Sequence, residues 1–184
     1  LGEIDISQYR DGVSTRGTPE SKKGEHFAGL HEAIVASLEK RVFSDLLESP
    51  LFSREKMIRD TPNMNKYYAE MAESGRYPAD DISAIYDIDG GTEVRRFSYW
   101  ELRGVLQFVC EQIAQEKVDR FVSAEAVLDR FFAAHFTGNL LEIGRLVEQT
   151  FGKGSFRRLG EMQPTAESAA GTLAELRKRR NERS

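Results

Sequence analysis

Four runs of apolar residues at helical spacing constrain this chain more than any other feature. Leu30, Ile34, Leu38, Val42 and Leu46 recur every four residues, with Val35, Phe43 and Leu47 beside them. Leu102, Val105, Leu106, Val109 and Ile113 make a second stripe. Val127, Leu128, Phe131, Phe132 and Phe136 make a third, and Ile143, Leu146, Val147 and Thr150 a fourth. Spacings of three and four place each set on one face of an α-helix, and such faces are stable when buried against one another. The pattern predicts a mainly α-helical bundle of five to seven helices.

The ends of these helices are also spelled out. In Phe97-Ser98-Tyr99-Trp100-Glu101-Leu102, the Ser98 hydroxyl is placed to accept from the Glu101 N–H, and the Glu101 carboxylate from the Ser98 N–H. Phe97 and Leu102 stand where a hydrophobic staple needs them. Ser123 caps the third stripe, with Val122 and Val127 as a second staple, and Gly138 ends it. Asn139, three residues ahead of Glu142, opens the fourth helix, and Gly152 closes it. Ser49-Pro50 ends the first, a short helical piece follows over Ser53–Arg59, and Thr61-Pro62 then opens a helix faced by Met64, Tyr67, Tyr68 and Met71. That helix runs to Ser74 and stops at Gly75.

Residues 82–97 break the pattern. Ile82, Ala84, Tyr86 and Ile88 alternate, Asp89-Gly90-Gly91 is turn chemistry, and 92–97 has the composition of a returning strand. One short β-hairpin is expected there, with a helical turn over 80–86 as the alternative. Asp80 and Asp81 are expected to start a local helix or face solvent.

The 184 residues fit one domain with appendages. Residues 1–27, rich in Gly, Ser, Thr, Asp and Lys, read as an extended N-terminal arm that does not fold alone. The helical bundle domain spans 28–152. Residues 153–184 form a basic, glycine-containing loop and a C-terminal helix over 166–180. The face of that helix (Ala169, Leu173, Leu176) is thin enough to predict weak docking or outward extension. Eight cations stand against four carboxylates in 153–184, a balance of +4, so residues 1–152 carry −8 of the net −4. An acidic body with a basic tail suits contact with another surface. The chain opens on Leu1 rather than Met, as a piece preceded by further residues would.

No apolar run approaches the roughly 20 residues of a membrane span, so no membrane contact is expected. The single cysteine, Cys110, excludes an internal disulfide and a cysteine-rich zinc site. It lies beside the second stripe and reads as a buried thiol in a reducing, cytoplasmic protein.

Candidate chemistry is sparse. In Arg130-Phe131-Phe132-Ala133-Ala134-His135, an Arg and a His are separated by four residues. This resembles the R-x4-H signature of HEPN-type ribonucleases, although Phe131 stands where that family usually places a polar residue. The resemblance implies a small helical bundle whose paired sites cleave RNA. Arg130 would stabilise phosphate charge and His135 would move the proton. Within one continuous helix, however, five steps of about 100° set the two residues roughly 140° apart. The structural alternative has Arg130 solvated and His135 at a helix C-terminus, where a cation is favoured.

His26 and His31 do not share a helical face, Asp87-x-Asp89-Gly90 lacks the third acid and closing Glu of a calcium loop, and Gly152-Lys153-Gly154-Ser155 lacks phosphate-loop spacing. No metal or cofactor is expected. Arg157, Arg158, Arg177, Lys178, Arg179 and Arg180 are candidate phosphate contacts, or else cations that complement the last turn of a helix.

The preferred expectation is a non-enzymatic interaction or adaptor subunit of a larger cytoplasmic assembly, meeting a protein partner or another copy through residues 1–27 and 166–180. The alternatives are a HEPN-like dimeric ribonuclease using Arg130 and His135, and an accessory protein that binds nucleic acid through its basic tail.

Overall fold

The computed structural model describes residues 10–11, 13–15, 26–73, 81–88 and 91–183. In chain order its elements are β1 (Arg10–Asp11), β2 (Ser14–Thr15), α1 (Ala28–Leu47), α2 (Ser53–Arg59), α3 (Pro62–Glu73), β3 (Ile82–Ile88), β4 (Gly91–Arg96), α4 (Trp100–Glu116), α5 (Ala124–Thr137), α6 (Leu141–Phe151), α7 (Ser155–Glu161) and α8 (Ala166–Asn181). The protein is mainly α-helical. Each of the four apolar stripes forms a helix, and the expected hairpin forms as the antiparallel pair β3–β4, registered from Ile82 opposite Arg96 to Ile88 opposite Gly91. The chain divides into two compact units, Leu1–Val35 with Glu101–Ser184, and Ala36–Trp100.

The core of the first unit is built from the stripes. Leu30, Ile34, Leu102, Val105, Leu106, Val109, Ile113, Val127, Phe131, Ile143, Leu146, Val147 and Phe151 are all buried. Ser123 caps α5 by accepting the Ala126 N–H at 3.3 Å, and Gly138 ends it at φ 70 in the left-handed region that favours glycine. The staple residue Val122 is the exception, since Val127 is buried while Val122 stands in water.

The start of α1 is held by backbone rather than by a capping side chain. The first N–H groups of a helix lack intrahelical acceptors. Here the Phe27 N–H donates to the Gly160 carbonyl at 2.7 Å and the Gly29 N–H to the Met162 carbonyl at 2.9 Å, both at the end of α7. Phe27 adopts φ 63 and lays its ring over Gly160, where a Cβ would come within 2.9 Å of it. The same ring packs on Phe156, with centroids 5.0 Å apart.

Helix α7 replaces the expected loop. Its start is capped from a distance by Glu148, whose carboxylate accepts the Gly154 N–H at 2.7 Å and the Phe156 N–H at 2.9 Å. The buried Ser155 hydroxyl donates to the Gly152 carbonyl at 2.6 Å.

Helix α8 does not extend outward. Ala169, Thr172 and Leu176 are buried, so the face is narrow but fully covered, with Thr172 taking part where Leu173 was expected. Small residues let the helix approach its neighbours closely, and ion pairs along its edge fix it there.

In the second unit Phe97 and Leu47 are buried, and Phe43 meets Phe97 edge-on at 5.4 Å. Asp81 is buried too, so of the two expectations for it, a local helical turn or a solvent-facing carboxylate, the second does not hold. Its carboxylate lies 3.1 Å from Arg96 Nη2 and 3.8 Å from Lys40 Nζ, and two cations compensate the loss of water. Its carbonyl accepts the Phe97 N–H at 3.1 Å. Thr61 caps α3 by accepting the Met64 N–H at 3.4 Å.

At the other end of this unit α4 begins at Trp100, after Tyr99 turns through φ 54 and the Arg96 guanidinium settles 4.6 Å from the Trp100 ring centroid. The helix stop at Gly75, the Asp89-Gly90 turn and the side chains of Tyr67, Tyr68 and Met71 lie outside the described residues. The α1 stripe is covered only in part. After Leu38, Val42 and Leu46 remain 44% and 43% exposed.

Candidate functional site

Helix α5 runs without interruption from Ala124 to Thr137, so Arg130 and His135 leave it in directions about 140° apart. Arg130 is exposed. His135 is half-buried, with its ring 5.1 Å from that of His31 on α1 and 5.3 Å from that of Phe136. The two candidates for phosphate cleavage are therefore not brought together within one chain. His26 is exposed and separate from this pair of rings. Among the described residues no group of three or more His, Cys, Asp or Glu is arranged to hold a metal ion. None of their helices is long and apolar enough to cross a membrane.

Cys110 is fully buried, and burial pushes its thiol far above the ordinary range, with the charges of Glu111 and Glu125 pushing the same way. A thiol held protonated is a poor nucleophile, so this side chain is a core residue. At the surface of α5, the Ser123 hydroxyl and a backbone N–H hold the Glu125 carboxyl below its usual range.

Much of the basic tail is engaged with the protein itself. Glu175 receives Arg158 Nε at 2.9 Å and Arg179 Nη2 at 2.8 Å. Arg180 reaches α4, pairing with Glu116 at 2.9 Å and Gln112 at 3.2 Å. The carbonyls left over at the end of α6 are taken by Arg183, which donates to Gln149 O at 3.0 Å, and just beyond it by Arg179, which donates to Lys153 O at 3.0 Å. Arg177 lies 5.5 Å from the Phe108 ring centroid. Lys178 is exposed beside Glu182 at 3.9 Å, and Arg157 is exposed on α7. The cations thus fasten α8 to α4, α6 and α7.

A feature that no motif announces lies on the outer side of α6. Arg120 from the α4–α5 connection, Asn139 from the α5–α6 connection, and Leu141, Glu142, Arg145 and Gln149 of α6 line an open cleft of about 290 Å³. Arg120 pairs with Glu142 across it, and Leu146 closes its floor. Asn139 Oδ1 accepts the Leu141 N–H at 3.2 Å, which leaves its amide nitrogen as a donor. The α4–α5 connection also carries Val118 and Val122, 73% and 96% exposed, and Phe136 in the last turn of α5 is 71% exposed. In the second unit Leu51 and Met57 are 87% and 66% exposed, close in the chain to Val42 and Leu46.

Of the N-terminal arm, β1 pairs with β2 and Val13 between them is buried. The chain matches no known protein family, no curated protein and no solved structure.

Proposed function

We propose that this chain is a non-enzymatic interaction or adaptor subunit of a larger assembly. The observation that carries the reading is the stripe of α1 that leaves the core. Val42 and Leu46 share one helix face, and with Leu51 and Met57 they place four large apolar side chains in water within residues 42–57. Burying each one fully is worth roughly 1.5–3 kcal/mol, and concentrated exposure of this kind marks a contact surface. A single free cysteine, buried in the core, suits a reducing cytoplasm.

The test compares the assembly state of the parent chain with that of a Leu46→Glu, Met57→Glu double variant. Both positions are exposed, so circular dichroism and thermal melting should be unchanged. The parent should sediment as an oligomer or in a complex, and the variant as a monomer. A parent that is monomeric at every concentration, with both chain ends resistant to protease and no partner retained from its native cell, removes the proposal.

A further inference from the structure

We propose that the cleft on the outer side of α6 docks an acidic segment of a partner protein that also presents a leucine-sized apolar side chain. The inference deepens the interaction reading and rests on it, because it names the chemistry of one partner surface.

Charge is the first argument. The cleft brings two guanidinium groups against one carboxylate, on a body that carries −8 outside the basic tail. Glu142 is engaged by Arg120, and Arg145 stands exposed one helical turn further on. An exposed guanidinium fork matches a carboxylate in two parallel hydrogen bonds. The amide of the exposed Asn139 adds a donor to the lining, because its oxygen is already committed to the Leu141 N–H. Gln149 brings a second amide from the far end of the cleft.

Apolar surface is the second argument. Two leucines line the cleft, Leu141 standing exposed and Leu146 buried beneath it. A purely electrostatic site needs neither of these. A peptide that alternates acidic and apolar side chains uses both kinds of surface. Nucleic acid is the poorer occupant, because Glu142 opposes a phosphate and the net charge of the lining is only +1. The carboxylate of a peptide asks for one cation, and Arg145 supplies it.

The experiment measures fluorescence anisotropy of a labelled peptide of alternating glutamate pairs and leucines, titrated with the full chain. Saturable binding that weakens with salt is expected. Arg145→Glu should weaken it by about tenfold or more, and Arg145→Gln should do so to a lesser degree. Lys66→Glu, an exposed change on α3, should leave the affinity unchanged. A peptide with lysine in place of glutamate should not bind.

Four results overturn the proposal: no saturable binding by the parent, equal binding by the Arg145 variants, tighter binding of an oligonucleotide lost in Arg145→Glu, or a self-association lost in that variant. None of these touches residues 42–57. Failure of the cleft is thereby distinguished from failure of the interaction reading, which the Leu46 and Met57 variants decide.

Discussion

Replacing Gly29 with alanine sets two rules of opposite sign against each other. Alanine is the better helix former, by up to about 1 kcal/mol, so a reading of α1 as an isolated helix predicts a gain. The structure predicts a loss. A Cβ on residue 29 would lie 2.5 Å from the Met162 carbonyl oxygen, 2.9 Å from its carbon and 3.0 Å from the Gln163 oxygen. All three are backbone atoms, so no side chain can swing aside. Relief requires α1 to separate from the end of α7, where Met162 is buried and its carbonyl accepts the Gly29 N–H at 2.9 Å.

Overpacking of this kind costs about 1–3 kcal/mol, and the loosened hydrogen bond adds about 1 kcal/mol. After the propensity gain is subtracted, the net destabilisation is about 1–3 kcal/mol. Urea unfolding followed by circular dichroism should show a lower midpoint with an unchanged slope. Heating should lower the midpoint by about 4–8 °C for a loss near 2 kcal/mol. Gly104→Ala is the control, because nothing lies within 4 Å of its Cβ position in the exposed middle of α4. It should stabilise the protein by about 0.5–1 kcal/mol. A Gly29→Ala variant as stable as the parent, or more so, would refute the contact between α1 and α7.

Two further outcomes are expected. The fold holds the Cys110 thiol protonated, whereas the unfolded chain ionises it above the ordinary value of 9.0, so its contribution is complete below pH 9.0 and is lost as pH rises beyond it. Between pH 8 and pH 10 the parent should lose about 1.4 kcal/mol more than Cys110→Ala, and parallel pH profiles of the two would contradict the burial. Asp81→Ala should cost about 2–3 kcal/mol, below the full value for a buried pair because Arg96 and Lys40 retain some water. A denaturation midpoint equal to the parent's would show that the carboxylate does not hold the hairpin.

What the sequence made legible was whatever is decided locally. Periodicity identified α1, α4, α5 and α6, and side-chain caps at Thr61 and Ser123 fixed the starts of α3 and α5. Features that depend on distant partners were not legible. Helix α7 starts where Glu148 reaches forward to two N–H groups, and no residue inside 153–161 signals it. Asp81 is buried because Lys40 and Arg96 converge on it from far along the chain. Periodicity also cannot say where a neighbour stops. The stripe of α1 has the same spacing before and after Leu38, yet only its first half is covered. The cleft has no motif because its cations come from a connection and from a helix face separated by all of α5.

The backbone clasp at Phe27 and Gly29 also orders events during synthesis. Those two amides find their acceptors only at Gly160 and Met162, so residues 36–100 have left the ribosome, free to fold locally, long before the first unit can close. Until then the nascent chain carries the greasy front of its first long helix without the carbonyls that anchor it. A premature stop before residue 160 would therefore damage the protein at its opposite end.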